Sequence, residues 1–356
     1  MKKNSIWFIT MLICLLVYFY PRNELPKIFD YDFKIAVIQT SSTKFKSYLN
    51  LFDQNLNFIK RIKINCGGLS HCWDFPKILD KKVFINIKGT DFLLKSKVLE
   101  LDFDQKKYKY HDVKQKFNTC FCVDKENIYV ANCTGNANIT QHNLKTKLNK
   151  ILVIPEIYIT HMKINGNKLF AFGNFFHNQV KSFIYVIDTN SMKLIKYIDI
   201  KDIGMGQYDS IQINNNIFFT NDSVIQKNRN QYCERESNIL CKLDIGENKV
   251  EKIFLPEISP KQIFFYKNNL IISHDDWHQN KKNLSIYNLL TQKTKLIQIK
   301  NYPYQIWLDK NKIYSVDQNK ICKYDADSFV LEQEYNFEAN RDLSDDFFIS
   351  GFFIRK

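Results

Sequence analysis

"NIYVAN", residues 127–132, is a turn residue followed by branched, aromatic and small apolar residues, and it reads as a short β-strand. Its relatives decide the fold. "KIAVIQ" begins at residue 34, "KVFINI" at 82, "KLFAFG" at 168, "NIFFTN" at 216, "NLIISH" at 269 and "KIYSVD" at 312, making seven copies spaced 41 to 53 residues apart. A second pattern, apolar-x-x-apolar-[Asp or Asn], follows each copy and ends at Asp53, Asp102, Asn143, Asp188, Asp244, Asn288 and Asp325. A further strand leaves each of these turns, as in "KLIKYIDI" from residue 193, and another precedes every first element except the first. Four short strands joined by turns of Asp, Asn and Lys form antiparallel hairpins. Seven such units predict an all-β chain, a seven-bladed β-propeller with four-stranded blades over residues 33–356. The first unit lacks its inner strand. The unassigned apolar stretch "DFFISGFFIRK", residues 346–356, is expected to supply it and to close the ring with both ends of the chain in one sheet.

The 356 residues are 45% hydrophobic and 15% aromatic, enough for a large core, and only 10 Gly and 7 Pro exclude a collagen-like or low-complexity chain. The net charge of +14 favours anionic neighbours such as lipid headgroups, acidic wall polymer or nucleic acid. No dense basic run marks a nucleic-acid arm, so nucleic acid is not the expected partner. A solvated Lys-rich surface accounts for the charge.

Residues 1–20 stand apart. Lys2 and Lys3 precede the uncharged "SIWFITMLICLLVYFY", and Pro21 stops any helix. No small-x-small cleavage site follows, and Cys14 lacks a lipoprotein context, so an uncleaved membrane anchor is preferred to a cleaved signal. Residues 21–32 then read as a linker, with the N-terminus inside and the propeller on the extracytoplasmic side. Disulfides fit that side. The expected pairs are Cys66–Cys72 and Cys233–Cys241, each flanking a loop, and then Cys120–Cys133 across a hairpin.

Tyr129-Val130-Ala131-Asn132 resembles the "YVTN" signature of bacterial seven-bladed propellers, and "IYVID" and "ICKYD" are similar to the third strand of that group and of quinoprotein-like propellers. The resemblance implies the fold and an exported or surface location, and many such proteins have no known catalysis. The WD40 and Kelch signatures are missing, and Trp73, Trp277 and Trp307 do not repeat the Gly-x-x-x-Trp motif of quinone-binding propellers.

Two places hold candidate chemistry. The connections between second and third strands share a face with the loops entering each blade. Five of the seven His residues map there: His71, His161, His177, His274 and His278. The blade-five connection, 220–238, is the long charged one, and it is expected to bring Asp222, Arg229, Tyr232, Glu234 and Arg235 near His274, Asp276, Trp277 and His278 of blade six. The other candidate is a polar ring lining one channel mouth: Asp74, Asn118, His161, Asp209, Gln262 and Gln305. Its oxygens suit Ca²⁺, or a hydrogen-bonded ring around ordered water. No Gly-x-Ser-x-Gly elbow, P-loop, EF-hand or H-E-x-x-H is present. The sequons at Asn132, Asn138, Asn221 and Asn283 carry no weight in so Asn-rich a chain. The expected function is a membrane-anchored module that binds a protein, peptide or glycan through its loop face. The rival is a metal-dependent hydrolase or lactonase using the ring. A third reading is an envelope-assembly component, for which an exposed apolar patch would speak.

Overall fold

The repeated Asp or Asn has the same local role seven times. Its side-chain oxygen accepts backbone N–H bonds two to four residues on: Asp53 from Asn55 and Asn57, Asp102 from Asp104 and Gln105, Asn143 from Lys145 and Thr146. Asp188, Asp244, Asn288 and Asp325 repeat the pattern. This side-chain-built turn reverses the chain with no glycine at its positive-φ position. A residue with positive φ follows shortly after each: Leu56, Lys106, Lys147, Met192, Asn248, Gln292 and Phe329. A glycine-poor sequence thus makes tight turns with Asx chemistry.

The computed structural model describes residues 24–41, 46–70, 74–88, 96–114, 116–134, 136–155, 157–176, 180–228, 231–275, 281–337 and 347–356. Blade one holds β1 (Ile35–Ser41), β2 (Ser47–Phe52) and β3 (Phe58–Ile64). Blade two holds β4 (Lys77–Leu79), β5 (Lys82–Ile87), β6 (Lys97–Asp102) and β7 (Lys107–Asp112). Blade three holds β8 (Asn118–Val123), β9 (Asn127–Thr134), β10 (Asn136–Asn143) and β11 (Asn149–Ile154). Blade four holds β12 (Tyr158–Asn165), β13 (Lys168–Phe176), β14 (Val180–Asp188) and β15 (Lys193–Asp199). Blade five holds β16 (Ser210–Ile213), β17 (Asn216–Asn228), β18 (Gln231–Asp244) and β19 (Lys249–Phe254). Blade six holds β20 (Pro260–Tyr266), β21 (Asn269–His274), β22 (Asn283–Asn288) and β23 (Thr294–Gln298). Blade seven holds β24 (Gln305–Asp309), β25 (Lys312–Val316), β26 (Lys320–Asp325) and β27 (Leu331–Asn336). The last strand, β28 (Phe347–Ile354), pairs antiparallel with β1 and becomes the inner strand of blade one, as expected.

"NIYVAN" shows how a blade uses its pleat. Ile128 and Val130 pack toward blade two with Phe84, Val98 and Phe121, while Tyr129 and Ala131 pack toward blade four with Ile159, Leu169 and Ala171. Side chains alternate between faces at period two, so one second strand serves two interfaces. Each of the seven blade interfaces has its own apolar cluster of this kind. The seventh, between blades seven and one, joins Tyr314, Val316 and Ile321 to Ile349, Phe352 and Ile354 of the closing strand. Gly351 sits where β28 shifts register against β1. A Cβ there would lie 2.7 Å from Ser70 Oγ, so the closing strand needs a glycine at this close approach.

Residues 25–30 form a short 3-10 helix, not an open linker. Leu25 and Ile28 are fully buried in the cluster between blades one and two, and Phe29 meets Phe103 edge-on at 5.7 Å. The apolar segment 1–20 lies outside the described residues, among which no helix is long and apolar enough to cross a membrane.

Candidate functional site

The polar ring is a clasp between blades. Phe121 N of blade three donates to Asp74 Oδ1 of blade two at 3.4 Å. Thr119 Oγ1 donates to Ile159 O of blade four at 2.9 Å. His161 Nε2 and Ser210 Oγ join blades four and five at 2.8 Å. Ile263 N donates to Asp209 Oδ2 at 3.0 Å, and Ile306 N to Gln262 Oε1 at 2.7 Å. Gln305 Nε2 donates to Ser350 O at 3.0 Å, and Ser350 Oγ donates to Leu69 O at 2.6 Å, which returns the chain of bonds to blade two. Asn118 reaches back instead, its amide donating to Asn86 Oδ1 at 3.1 Å. All seven interfaces are therefore bridged by an inner-strand side chain. Sequence reasoning missed Thr119 and Ser350. Ser350 sits four residues before the end of its inner strand, as Asp209, Gln262 and Gln305 do in theirs, so position marks it once the closing strand is assigned.

The electrostatics suit a clasp. Burial pushes the Asp74 carboxyl up to about 6, against Lys77 and the bonds from Asn86 and Phe121. Burial likewise raises Asp209 and, with Lys77 and Lys163, drives His161 well below the ordinary range. Both oxygens of Asp74 and both of Asp209 already accept hydrogen bonds. Among the described residues no group of three or more His, Cys, Asp or Glu is placed to hold a metal ion.

His161, Asp209 and Gln262 form the floor of a channel cavity of about 360 Å³. Its walls are the later residues of the inner strands, including Lys77, Lys163, Ile211, Phe264 and Trp307, so it opens on the face of the first-to-second-strand turns. Lys77 Nζ stands 5.8 Å from the Phe121 ring, and Phe264 meets Trp307 at 6.1 Å. Two ammoniums in an aromatic collar are suited to an anion.

The opposite face carries the strand-two-to-three connections. The blade-five stretch 220–238 is not a loop. β17 and β18 run 13 and 14 residues, whereas every other strand has three to nine. They stay paired from Asn216↔Asp244 out to Asn228↔Gln231. β16 pairs only with Asn216–Phe219, and β19 only with Ile239–Asp244. The outer part, from Val224 on, is thus a two-stranded ribbon whose flanks pair with no other strand among the described residues. Six residues of strand project it by about 20 Å. Gly204 fixes its base: at φ +130°, with Ser223 O only 2.0 Å from where a Cβ would stand, no other residue fits.

Arg235 is exposed on the ribbon and Asp222 lies at its base, bonded through its N–H to Gly206 O at 3.1 Å. Arg229, Asp276, Trp277, His278, His71 and His177 lie outside the described residues, as do the side chains of Tyr232 and Glu234. His274 is not free for a ligand. It is 1% exposed, its ring nitrogens bond to Ile258 O and Ser285 Oγ at 2.7 and 2.8 Å, and burial lowers it to about 4. Its neighbour Asp275 bonds Lys261 Nζ at 2.5 Å and the Tyr302 hydroxyl, and Lys261 is fully buried with Nζ 4.4 Å from the Tyr304 ring. That ion pair buttresses the root of the blade-six connection. Nothing in a Lys-rich sequence singled out Lys261.

Among the described residues no disulfide is formed. Cys66, Cys120, Cys122, Cys241 and Cys322 are free thiols. Cys233 and Cys241 lie eight residues apart on the single strand β18, roughly 26 Å along an extended chain. A bridge needs Cα atoms within about 7 Å. Cys120 faces Ala131, not Cys133, and its Sγ donates to Ile159 O at 3.7 Å. Cys66 is buried enough to push its thiol up to about 12, while Cys72 lies outside the described residues.

No protein-family model matches the sequence, and no curated protein matches it. Solved structures match in fold. Apo AztD from Citrobacter koseri is 11% identical, with a TM-score of 0.53 over 91% of this chain and 99% of that one. Kuenenia stuttgartiensis hydrazine synthase is also 11% identical, with a TM-score of 0.57 over 84% and 94%. The Neurospora crassa Pan2 WD40 domain, again 11% identical, gives 0.50 over 80% and 86%. Identity this low carries the fold alone. The chain is a β-propeller, an architecture that commonly serves as an interaction or scaffold module.

Proposed function

We propose that this propeller is a binding module, exported and held outside a membrane by its N-terminal segment, and that its blade-five ribbon takes up an extended segment of a partner protein. Membership of the YVTN group, suggested by Tyr129–Asn132, belongs to the same proposal. The observation that carries it is the ribbon. Proteins usually cover or shorten an unpaired strand edge, and here two such edges project from a rigid ring. An extended peptide adds to such an edge through main-chain hydrogen bonds. Arg is among the residue types that most often anchor interfaces, and Arg235 is exposed at this place. The test is a photo-crosslinking residue at Arg235 in cells of the source organism, with one at Lys310 on the opposite face as control. A discrete protein adduct from position 235 alone is expected; none from 235, or the same adduct from both, refutes the reading. Protease accessibility of the propeller in intact cells tests its location.

A second reading, assembly into an envelope complex, is favoured by one patch. Ile151, Val153, Leu194, Ile195 and Tyr197 on the outer strands of blades three and four are each at least 44% exposed. Sedimentation of the purified chain tests it, a monomer unaffected by Ile151→Lys counting against. The hydrolase or lactonase reading rests on the polar ring, whose carboxylates are engaged by blade-to-blade bonds. Calcium that raises the melting temperature of wild type and not of Asp209→Asn would revive it.

A further inference from the structure

We propose that the cleft between blades two and three, on the face opposite the ribbon, binds an anion carrying two or more linked phosphate groups. Two cavities of about 430 and 410 Å³ adjoin there and share Lys109 and Lys147. Lys107 and Lys109 lie two residues apart on one strand, about 7 Å, so both belong to the same face of it. Lys145 and Lys147 come from the Asn143 turn of blade three and face them across the cleft. Lys125 and Lys82 complete the six lysines of the first cavity.

In the first cavity the acidic groups are already spent, while Asp112 lines the second. Lys82 Nζ bonds Glu100 at 2.6 Å and Asp102 at 3.2 Å, and His111 Nε2 bonds the other Glu100 oxygen at 2.6 Å. Burial alone would raise Glu100, but the bonds from His111 and Lys82 overcome it and hold the carboxyl at about 2. Lys107, Lys109, Lys125 and Lys145 have no acidic partner among the described residues. Lys109 and Lys147 line both cavities, and Lys147 Nζ donates to Leu144 O. Burial and Lys109 together push Lys147 down to about 8. Four lysines without a carboxylate partner around one cavity mark a place for an anion.

A second, independent observation points to the same place. His111 and His142, 2% and 3% exposed, pack edge to face at 5.4 Å beside the second cavity. His142 Nδ1 bonds Asn149 Oδ1 at 2.8 Å, but His142 Nε2 and His111 Nδ1 are buried without any partner. Buried polar atoms of this kind are costly and rare in a native fold. They leave a polar set that the protein alone does not satisfy. The neck between Lys109 and Lys147 would hold one phosphate, and Lys107, Lys125 and Lys145 the next. Phosphate oxygens accept charge-assisted bonds from several lysines at once.

The test is calorimetric titration of the full chain with tripolyphosphate and with orthophosphate at low salt. Tripolyphosphate is expected to bind one to one, and orthophosphate about tenfold more weakly. Lys109→Gln with Lys147→Gln is expected to weaken tripolyphosphate by about tenfold or more. Lys293→Gln with Lys295→Gln removes the same charge from an exposed strand of blade six and should leave affinity within about twofold, the scatter expected of screened distant charges. The proposal fails if the blade-six variant loses as much as the cleft variant, since the net charge alone would then be acting. It fails also if the cleft variant binds unchanged, if orthophosphate binds as tightly, or if a mixed-sequence oligonucleotide binds more tightly than tripolyphosphate in the same cleft. Both lysines of the cleft variant are at the surface, so its melting temperature, expected to match wild type, separates loss of binding from loss of fold.

Discussion

Blades five and seven make the same connection in opposite ways. In blade seven, β25 passes to β26 through three residues, 317–319, and Asp317 Oδ1 closes the turn by accepting Asn319 N and Lys320 N at 2.7 and 2.8 Å. In blade five the corresponding strands continue as the paired ribbon beyond Val224. Both blades pack on their neighbours through equivalent clusters, Phe219 and Cys241 in one, Tyr314 and Cys322 in the other. The ring therefore does not need the ribbon. What the fold requires is short, repeated and satisfied by local chemistry; what exceeds the requirement is where a partner would be met.

That comparison can be broken from the side of what the ring requires. Deleting residues 344–356 removes the inner strand of blade one, opens the β1 edge and removes Ser350 from the clasp. Loss of cooperative unfolding, with aggregation, is the expected result. A melting temperature unchanged by this truncation would show that the closing strand is dispensable.

A smaller effect is expected at Gly351. Gly351→Val places a branched side chain against Ser70 Oγ and should cost about 1–3 kcal/mol by denaturant unfolding, as overpacking usually does. A cost near zero would mean that the seam between blades one and two is loose.

The clasp makes a pH prediction. Asp74 is raised from 3.8 to about 6, so its protonated form is favoured in the fold. Its contribution is fully present below pH 3.8 and is lost as pH rises through about 6. Stability measured for Asp74→Asn against wild type should therefore shift in favour of the variant as pH rises across that window. A difference that stays constant with pH would mean the carboxyl is solvated and the channel side of blade two is open.

The strands were legible because their causes are local. Period-two alternation and the Asx turn at Asp102 or Asn288 act within a few residues, so each copy announces itself. The role of the polar ring was not legible, because its partners are main-chain atoms of the next blade: Ile263 for Asp209, Ile306 for Gln262, Ser350 for Gln305. A list of Asp, Asn and Gln says that hydrogen bonds are needed and not with what. The ribbon was hidden for a different reason. Residues 222–237, "DSVIQKNRNQYCERES", show no alternation, and a paired segment without alternation reads as a loop. The same error made Cys233 and Cys241 look like the two sides of a turn when they lie along one strand.

The most direct measurement replaces residues 223–236 with the three-residue connection of blade seven and follows thermal unfolding together with the crosslinked adduct. If the ribbon is surplus to the ring and serves a partner, the melt stays cooperative and within about 2 °C of the parent, a change of about 1.5 kcal/mol or less. The adducts formed from Arg235 in the parent should then be missing when a crosslinker is placed at the half-buried Asp222 beside the new turn. A large fall in melting temperature, or the same adduct without the ribbon, would contradict the account.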